Sequence, residues 1–297
     1  MPGRPEGAAD RSVPALLVSV FCAMAATAAQ ITSLGKQVYD LTGRELDLGL
    51  LGLAEFAPAA LLVLVTGAVV DRHERRLVAA VAAAGEAVVA MALALYAASD
   101  PNAVGPVFAL VFVFGVARAF AAPASRALLG DVVPAERVPW LVARFSFAWQ
   151  SALVVGPVLG GFLYTVDPSA PYLATAALLL VSAGAILMVR PVARSGRDRP
   201  PHDLGALAAA AAEPVVGHLD AARPAPASLR DAVEGFRFIR RVPVLLGAIS
   251  LDLFAVLFGG AVALLPAIAT DRLGVDAVGL GWLRAAGGLG AGGVTLV

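Results

Sequence analysis

The chain has 297 residues, of which 59% are hydrophobic and only 15% charged, and its mean hydropathy is +0.83. Ordinary soluble domains carry about 25% charged residues, so composition alone makes the lipid bilayer a partner of this chain. The 22 basic and 22 acidic residues cancel, which excludes the basic surplus of a nucleic-acid binder. Cys22 is the one cysteine, and His73, His202 and His218 have no ligand spacing, so neither a disulfide framework nor a metal centre nor another cofactor is expected.

A transmembrane helix needs about 20 apolar residues. Eight such runs follow one another, at 13–37, 48–70, 77–98, 104–122, 140–164, 172–189, 244–267 and 279–297. They predict an all-α membrane protein with three regions: a six-helix N-terminal half over 1–189, a central loop over 190–242, and a third region, 243–297, that begins a second half with helices seven and eight. Arg4 and Arg11 ahead of the first run also fit a cleavable secretory signal. Seven further spans make an uncleaved first helix the simpler reading.

The central loop opens on arginine and proline, a mixture that cannot bury a core and reads as disordered. Near 228–241 it changes character: Leu229, Val233, Phe236 and Ile239 recur at helical spacing among six charged residues, as in a helix lying on a membrane surface. A solvated connector is the competing reading. With the N-terminus inside, seventeen arginines fall on the cytoplasmic side and three basic residues, Lys36, Arg44 and Arg272, on the other. That bias predicts a cytoplasmic N-terminus.

An internal repeat links the two ends of the chain. Asp40-Leu-Thr-Gly43, followed by Gly49-Leu-Leu-Gly-Leu53, has a counterpart in Asp271-Arg-Leu-Gly274 and Gly279-Leu-Gly-Trp-Leu283, offset by about 230 residues. The offset sets the first two helices against the seventh and eighth, as in a duplicated six-helix unit, a construction common in secondary transporters.

Two motifs carry function. Gly67-x-x-x-Asp71-Arg72-x-x-Arg75-Arg76 sits between the second and third helices, where a glycine would admit close helix approach and the charges could form a conformational latch. A generic basic loop is the plainer alternative. In the fifth helix, Gly156-Pro157-Val-Leu-Gly160-Gly161 combines small residues with a proline that removes a backbone donor, suiting either a rocking interface or ordinary packing.

The first motif resembles the loop signature of the major facilitator superfamily, with Glu74 where the family pattern has glycine. The fifth-helix motif is similar to the superfamily's antiporter signature, with Ala143 and Ala152 at upstream glycine positions. Together with Tyr39-Asp-Leu-Thr-Gly43, Gly115-Val-Ala-Arg118-Ala-Phe, Leu251-Asp-Leu-Phe-Ala-Val-Leu-Phe-Gly-Gly260 and Leu283-Arg-Ala-Ala286, these resemble the enterobactin-exporter-like branch. The resemblance implies two six-helix halves around a central cavity, alternating access, and a multi-pass protein of the bacterial plasma membrane. Against twelve expected helices the eight runs read as a chain truncated at its C-terminus.

Ionisable groups inside spans are costly unless they face a cavity or a partner. Glu55, Glu86, Arg118, Asp252 and Arg284 are therefore candidates for coupling or for lining the cavity, with Gln150 as a polar neighbour. Asp252 and Arg284 lie at depths that differ by less than ~10 Å, so they are expected to pair, as a proton-coupling site, a gate or a permanent staple. Glu86 and Arg118 read as a structural pair, and Glu55 as a residue reaching the outer interface.

The functional expectation is a secondary transporter, not an enzyme, since neither a phosphate-binding loop nor a nucleophile elbow occurs. It would export small amphiphilic molecules such as drugs, siderophores or secondary metabolites, with protons as the coupling ion. An importer of the same fold, or an inactive fragment or regulatory membrane subunit, are the alternatives.

Overall fold

A computed structural model describes residues 6–189, 240, 243–247, 250–251 and 262–294. Every regular element among them is helical. The chain divides into two compact units, residues 1–193 with 262–297, and residues 194–261. In the second unit the described residues, 240, 243–247 and 250–251, are helical and exposed. All but residue 240 of the central loop, including the rest of the predicted surface helix near 228–241, and half of the predicted seventh span lie outside the described residues.

In the first unit the helices are α1 (Glu6–Thr42), α2 (Glu45–Arg72), α3 (Arg75–Ala97), α4 (Gly105–Val132), α5 (Val138–Val166) and α6 (Ala170–Met188). Then come a short turn, α7 (Leu265–Ala267), a π-helical turn at Ile268–Arg272, and α8 (Ala277–Val294). Each apolar run of the first six became one helix, extended beyond the run where polar residues continue the helical hydrogen bonding. Prolines stand at the first turn of α4, α5 and α6, where their missing N–H costs nothing. Five helical segments are long and apolar enough to cross a membrane: Ser12–Thr42, Arg75–Ala97, Gly105–Leu129, Val138–Val166 and Ala170–Met188.

The repeat seen in the sequence has a backbone counterpart. Gly43 and Gly274, equivalent in the two copies, are the two glycines with positive φ among the described residues, at +61° and +60°. A left-handed residue just past a helix lets the next amide close back on an orphan carbonyl, and the Gly43 amide donates to the Tyr39 carbonyl at 2.8 Å. The local chain reversal is thus encoded twice, and each reversal feeds the helix that follows it, α2 or α8.

Packing runs α2 on α4, α4 on α3, α3 on α6, α6 on α1, α1 on α5 and α5 on α8. Three apolar clusters stack along the bundle. One, at the end that carries Arg75 and Arg76, gathers Leu16, Val70, Leu128, Val138 and Ile186. A second, at the opposite end, gathers Val38, Leu51, Leu93, Val107 and Tyr172. The third, smaller one between them holds Phe114, Ala90 and Leu179. Glu86 and Arg118 stand within one turn of Ala87 and Phe114 of this middle cluster.

Candidate functional site

Construction of the middle layer starts from close backbone contacts. A Cβ on Gly115 would stand 2.7 Å from the Glu55 carbonyl oxygen, so α2 and α4 touch at that level. Arg118 follows one turn later on α4, on the same face as Gly115. On the other side of α4, a Cβ on Gly85 would lie 3.6 Å from Ala117 Cβ, which sets Glu86 and Arg118 beside the α3–α4 contact. Arg118 thereby lines two cavities. One, of about 550 Å³ and open, lies between α2 and α4 and is also lined by Glu55, Phe56 and Gly67. The other, about 80 Å³, lies inside the bundle and is also lined by Glu86, Ser19, Thr27 and Ser182.

Glu86 is only 3% exposed, and its Oε1 has no hydrogen-bond partner. An unsatisfied carboxylate oxygen in a low-dielectric layer costs several kcal/mol unless a charge or a ligand offsets it. The charge that faces it is Arg118. Glu55 shares the lining of the open cavity with Arg118. It is half-buried and lines that cavity between α2 and α4, at the level where Gly115 brings α4 against the Glu55 backbone. Arg284 reaches across to α1, where a Cβ on Gly35 would sit 3.4 Å from its Nη2, and its buried Nε has no partner. Asp252, the partner expected for Arg284, lies outside the described residues.

The fifth helix is held on two faces by small residues. Toward α1, Cβ atoms on Gly156 and Gly160 would each stand 2.6 Å from a carbonyl oxygen, those of Ala25 and Ala29. Toward α8, a Cβ on Gly161 would come within 2.2 Å of the Ala277 carbonyl oxygen, and one on Gly281 within 2.5 Å of that of Pro157. Pro157 and Gly161 thus face α8, while Gly156 and Gly160 face α1. Ser33 donates across the first seam to the Gly160 carbonyl at 3.4 Å, and Gln150 across the second to the Gly288 carbonyl at 3.4 Å.

In the basic loop, Arg75 donates to the Ala127 carbonyl at 3.3 Å and Arg76 to those of Leu187 and Val189 at 3.4 and 3.3 Å. These arginines tie down carbonyls at the ends of α4 and α6, where the helix dipole favours a cation. Glu74 pairs with Arg76 at 2.7 Å, and its φ of −65° is one any residue adopts, so the departure from glycine strains nothing. Arg72 is exposed at the end of α2. The side chain of Asp71 lies outside the described residues. A Cβ on Gly67 would meet open space, which corrects its expected role in close helix approach: the glycine borders the larger cavity, and Gly115 makes the approach instead.

The family model of the Major Facilitator Superfamily matches residues 16–297. The chain belongs to that superfamily. No curated protein matches it. As a major facilitator protein with several membrane-crossing helices, it is a multi-pass membrane protein and a secondary transporter of a small-molecule substrate.

Sequence reasoning missed one cluster in this facilitator. The Tyr39 hydroxyl donates to Asp271, Tyr164 donates to Asp40 at 3.2 Å, and Lys36 pairs with Asp40. Asp40 and Asp271 are the equivalent acids of the repeat, so this contact joins one copy directly to the other. The repeat itself carried that signal, but only the chain path of α1 past the π-helical turn brings Tyr39 within reach.

Proposed function

We propose that this facilitator is a proton-coupled exporter of small amphiphilic molecules, of the enterobactin-exporter-like branch, in the bacterial plasma membrane. The observation that carries the reading is the position of α5, whose Gly156, Pro157, Gly160 and Gly161 meet α1 on one side and α8 on the other. A helix that touches both copies of the repeat through small residues can rock with little side-chain interlock to undo, the long Ser33 and Gln150 hydrogen bonds being the ones described across its two seams. Close-packed proline and glycine at that seam are what the antiporter-like motif supplies, and they favour export over import. The arginine-rich ends support a cytoplasmic N-terminus, which makes the Arg75 and Arg76 contacts a cytoplasmic latch and the Tyr39 to Asp271 contact an outer one. Glu55 and Glu86 are the carboxylates that can exchange protons beside Arg118, while Gln150 and Arg284 border the seam.

The test is direction and coupling. Inverted and right-side-out vesicles that contain the protein are offered ethidium and Hoechst dyes under an imposed proton gradient. The reading expects accumulation in inverted vesicles, collapsing with the gradient. Accumulation only in right-side-out vesicles under an inward gradient would establish import instead.

A further inference from the structure

One face of α5 meets neither α1 nor α8, and its first turns carry charge as well as apolar surface. Arg137 caps the helix, and Trp140, Arg144 and Phe147 follow at steps of three or four residues, so the four share one side of it. All four are exposed, Phe147 at 76%. Helical side chains lean toward the N-terminus, so Arg144 reaches back one turn, and its guanidinium carbon lies 4.0 Å from the centre of the Trp140 ring. That stack uses the flat face of the guanidinium and leaves its N–H edges free to donate. The lean also carries the Arg144 charge to the level of Trp140, only three residues, or about 4.5 Å of helical rise, from Arg137. Among the described residues neither arginine has an acid as ion-pair partner, and Glu136, exposed beside Arg137, pairs with neither. Two unpaired cations thus stand together at one indole.

Their place along the helix gives them a setting. The membrane-crossing stretch of α5 is Val138–Val166, so Arg137 stands at its edge and Trp140 in its first turn, at the end of the bundle that carries Arg75 and Arg76. Beyond the cations, Phe147, Val155 and Phe162, exposed at 76%, 44% and 57%, continue the same side as an apolar stripe. From Phe147 to Phe162 it runs about 22 Å, more than the ~15 Å of hydrocarbon in one leaflet.

We infer that this face of α5 binds an anionic phospholipid. Arg137 and the free edges of Arg144 hold the headgroup phosphate, Trp140 fixes the Arg144 plane, and an acyl chain lies along Phe147 and Val155. Guanidinium edges match phosphate oxygens geometrically. A zwitterionic lipid offers the same phosphate with a cation tethered to it, which two adjacent arginines repel, so net headgroup charge decides the selection. The site does not depend on the export reading above.

Quenching of tryptophan fluorescence by brominated lipid tests it, with the full chain in phosphatidylcholine vesicles that carry a minor fraction of dibrominated phosphatidylglycerol or dibrominated phosphatidylcholine. The Trp140 share of the signal is the difference between the chain and Trp140→Phe. Brominated phosphatidylglycerol should quench Trp140 more strongly at equal fraction. The ratio of the two association constants should fall about fivefold in Arg137→Gln and about fivefold in Arg144→Gln, the weight of one arginine at a membrane surface. Arg72→Gln, which removes an exposed arginine at the end of α2, should leave the ratio unchanged. Equal quenching by the two lipids overturns the site. A ratio that falls as far in Arg72→Gln overturns it too, because the attraction is then diffuse. Loss of the preference on adding soluble glycerol 3-phosphate would make the occupant a free phosphate and overturn the lipid.

Discussion

Replacing Gly160 by alanine places a methyl group against backbone that has nowhere to go. The new Cβ would stand 2.6 Å from the Ala29 carbonyl oxygen and 2.9 Å from Ala29 Cα, where ordinary contact begins at 3.4 Å, so α1 and α5 must part by about 0.8 Å at that level. Overpacking of this kind costs about 1–3 kcal/mol. Alanine also gains about 0.5–1 kcal/mol over glycine in a helix by restricting the unfolded chain. Gly184, exposed on α6 with nothing within 4 Å of where its methyl would stand, isolates that gain. Thermal unfolding in detergent should therefore show Gly160→Ala destabilised and Gly184→Ala neutral or stabilised, a gap of roughly 5 °C or more. Equal melting temperatures would refute the claim that direct backbone contact at Gly160 holds α1 against α5.

Gly161→Ala should slow dye transport in vesicles while its melting temperature falls less than that of Gly160→Ala, because Gly161 meets α8 and not the six-helix bundle. Arg76→Ala should lower thermal stability by about 1–3 kcal/mol through loss of its bonds to the end of α6, with Arg76→Lys recovering the Glu74 pair but not the paired carbonyls. Tyr39→Phe should raise amide hydrogen exchange in residues 268–276 by about tenfold, the value of a hydrogen bond to a carboxylate, while leaving the α3 amides unchanged. Asp167, in the turn after α5, has its carboxyl held below the usual carboxylate range by the hydroxyl and amide of Ser169. Its contribution to stability is complete above the unfolded value near 3.8 and is lost as pH falls through the lower folded value. Acid unfolding of Asp167→Asn should therefore lack that component.

The helices α1 to α6 were legible because a bilayer imposes one rule on each apolar run, internal satisfaction of every backbone polar group. Their ends were less so: α4 runs on to Val132, ten residues past the apolar stretch, since Ser125 and Arg126 keep helical bonding without adding hydropathy. The glycines of α5 stood out in the sequence, but not the division of labour by which Gly156 and Gly160 face one neighbour while Gly161 faces another. Periodicity assigns faces; it does not say which helix covers them. The charged residues were legible as costly and therefore purposeful. Their partners were not, because Glu55, Glu86 and Arg118 come from three helices whose order around the bundle no single sequence displays.

The seam between α5 and α8 is made largely of backbone. Where Gly161 meets Ala277, and Gly281 meets Pro157, backbone lies directly against backbone, and farther along the seam the side chains of Val154 and Gln150 reach across to Gly288. Interlocked leucines would turn a slide of one helix along the other into a series of clicks, each with its own barrier. Bare backbone against bare backbone has few clicks to pass, but only over the short stretch where a glycine stays opposite a carbonyl, so the glycines set both the closeness of the seam and the length of its travel.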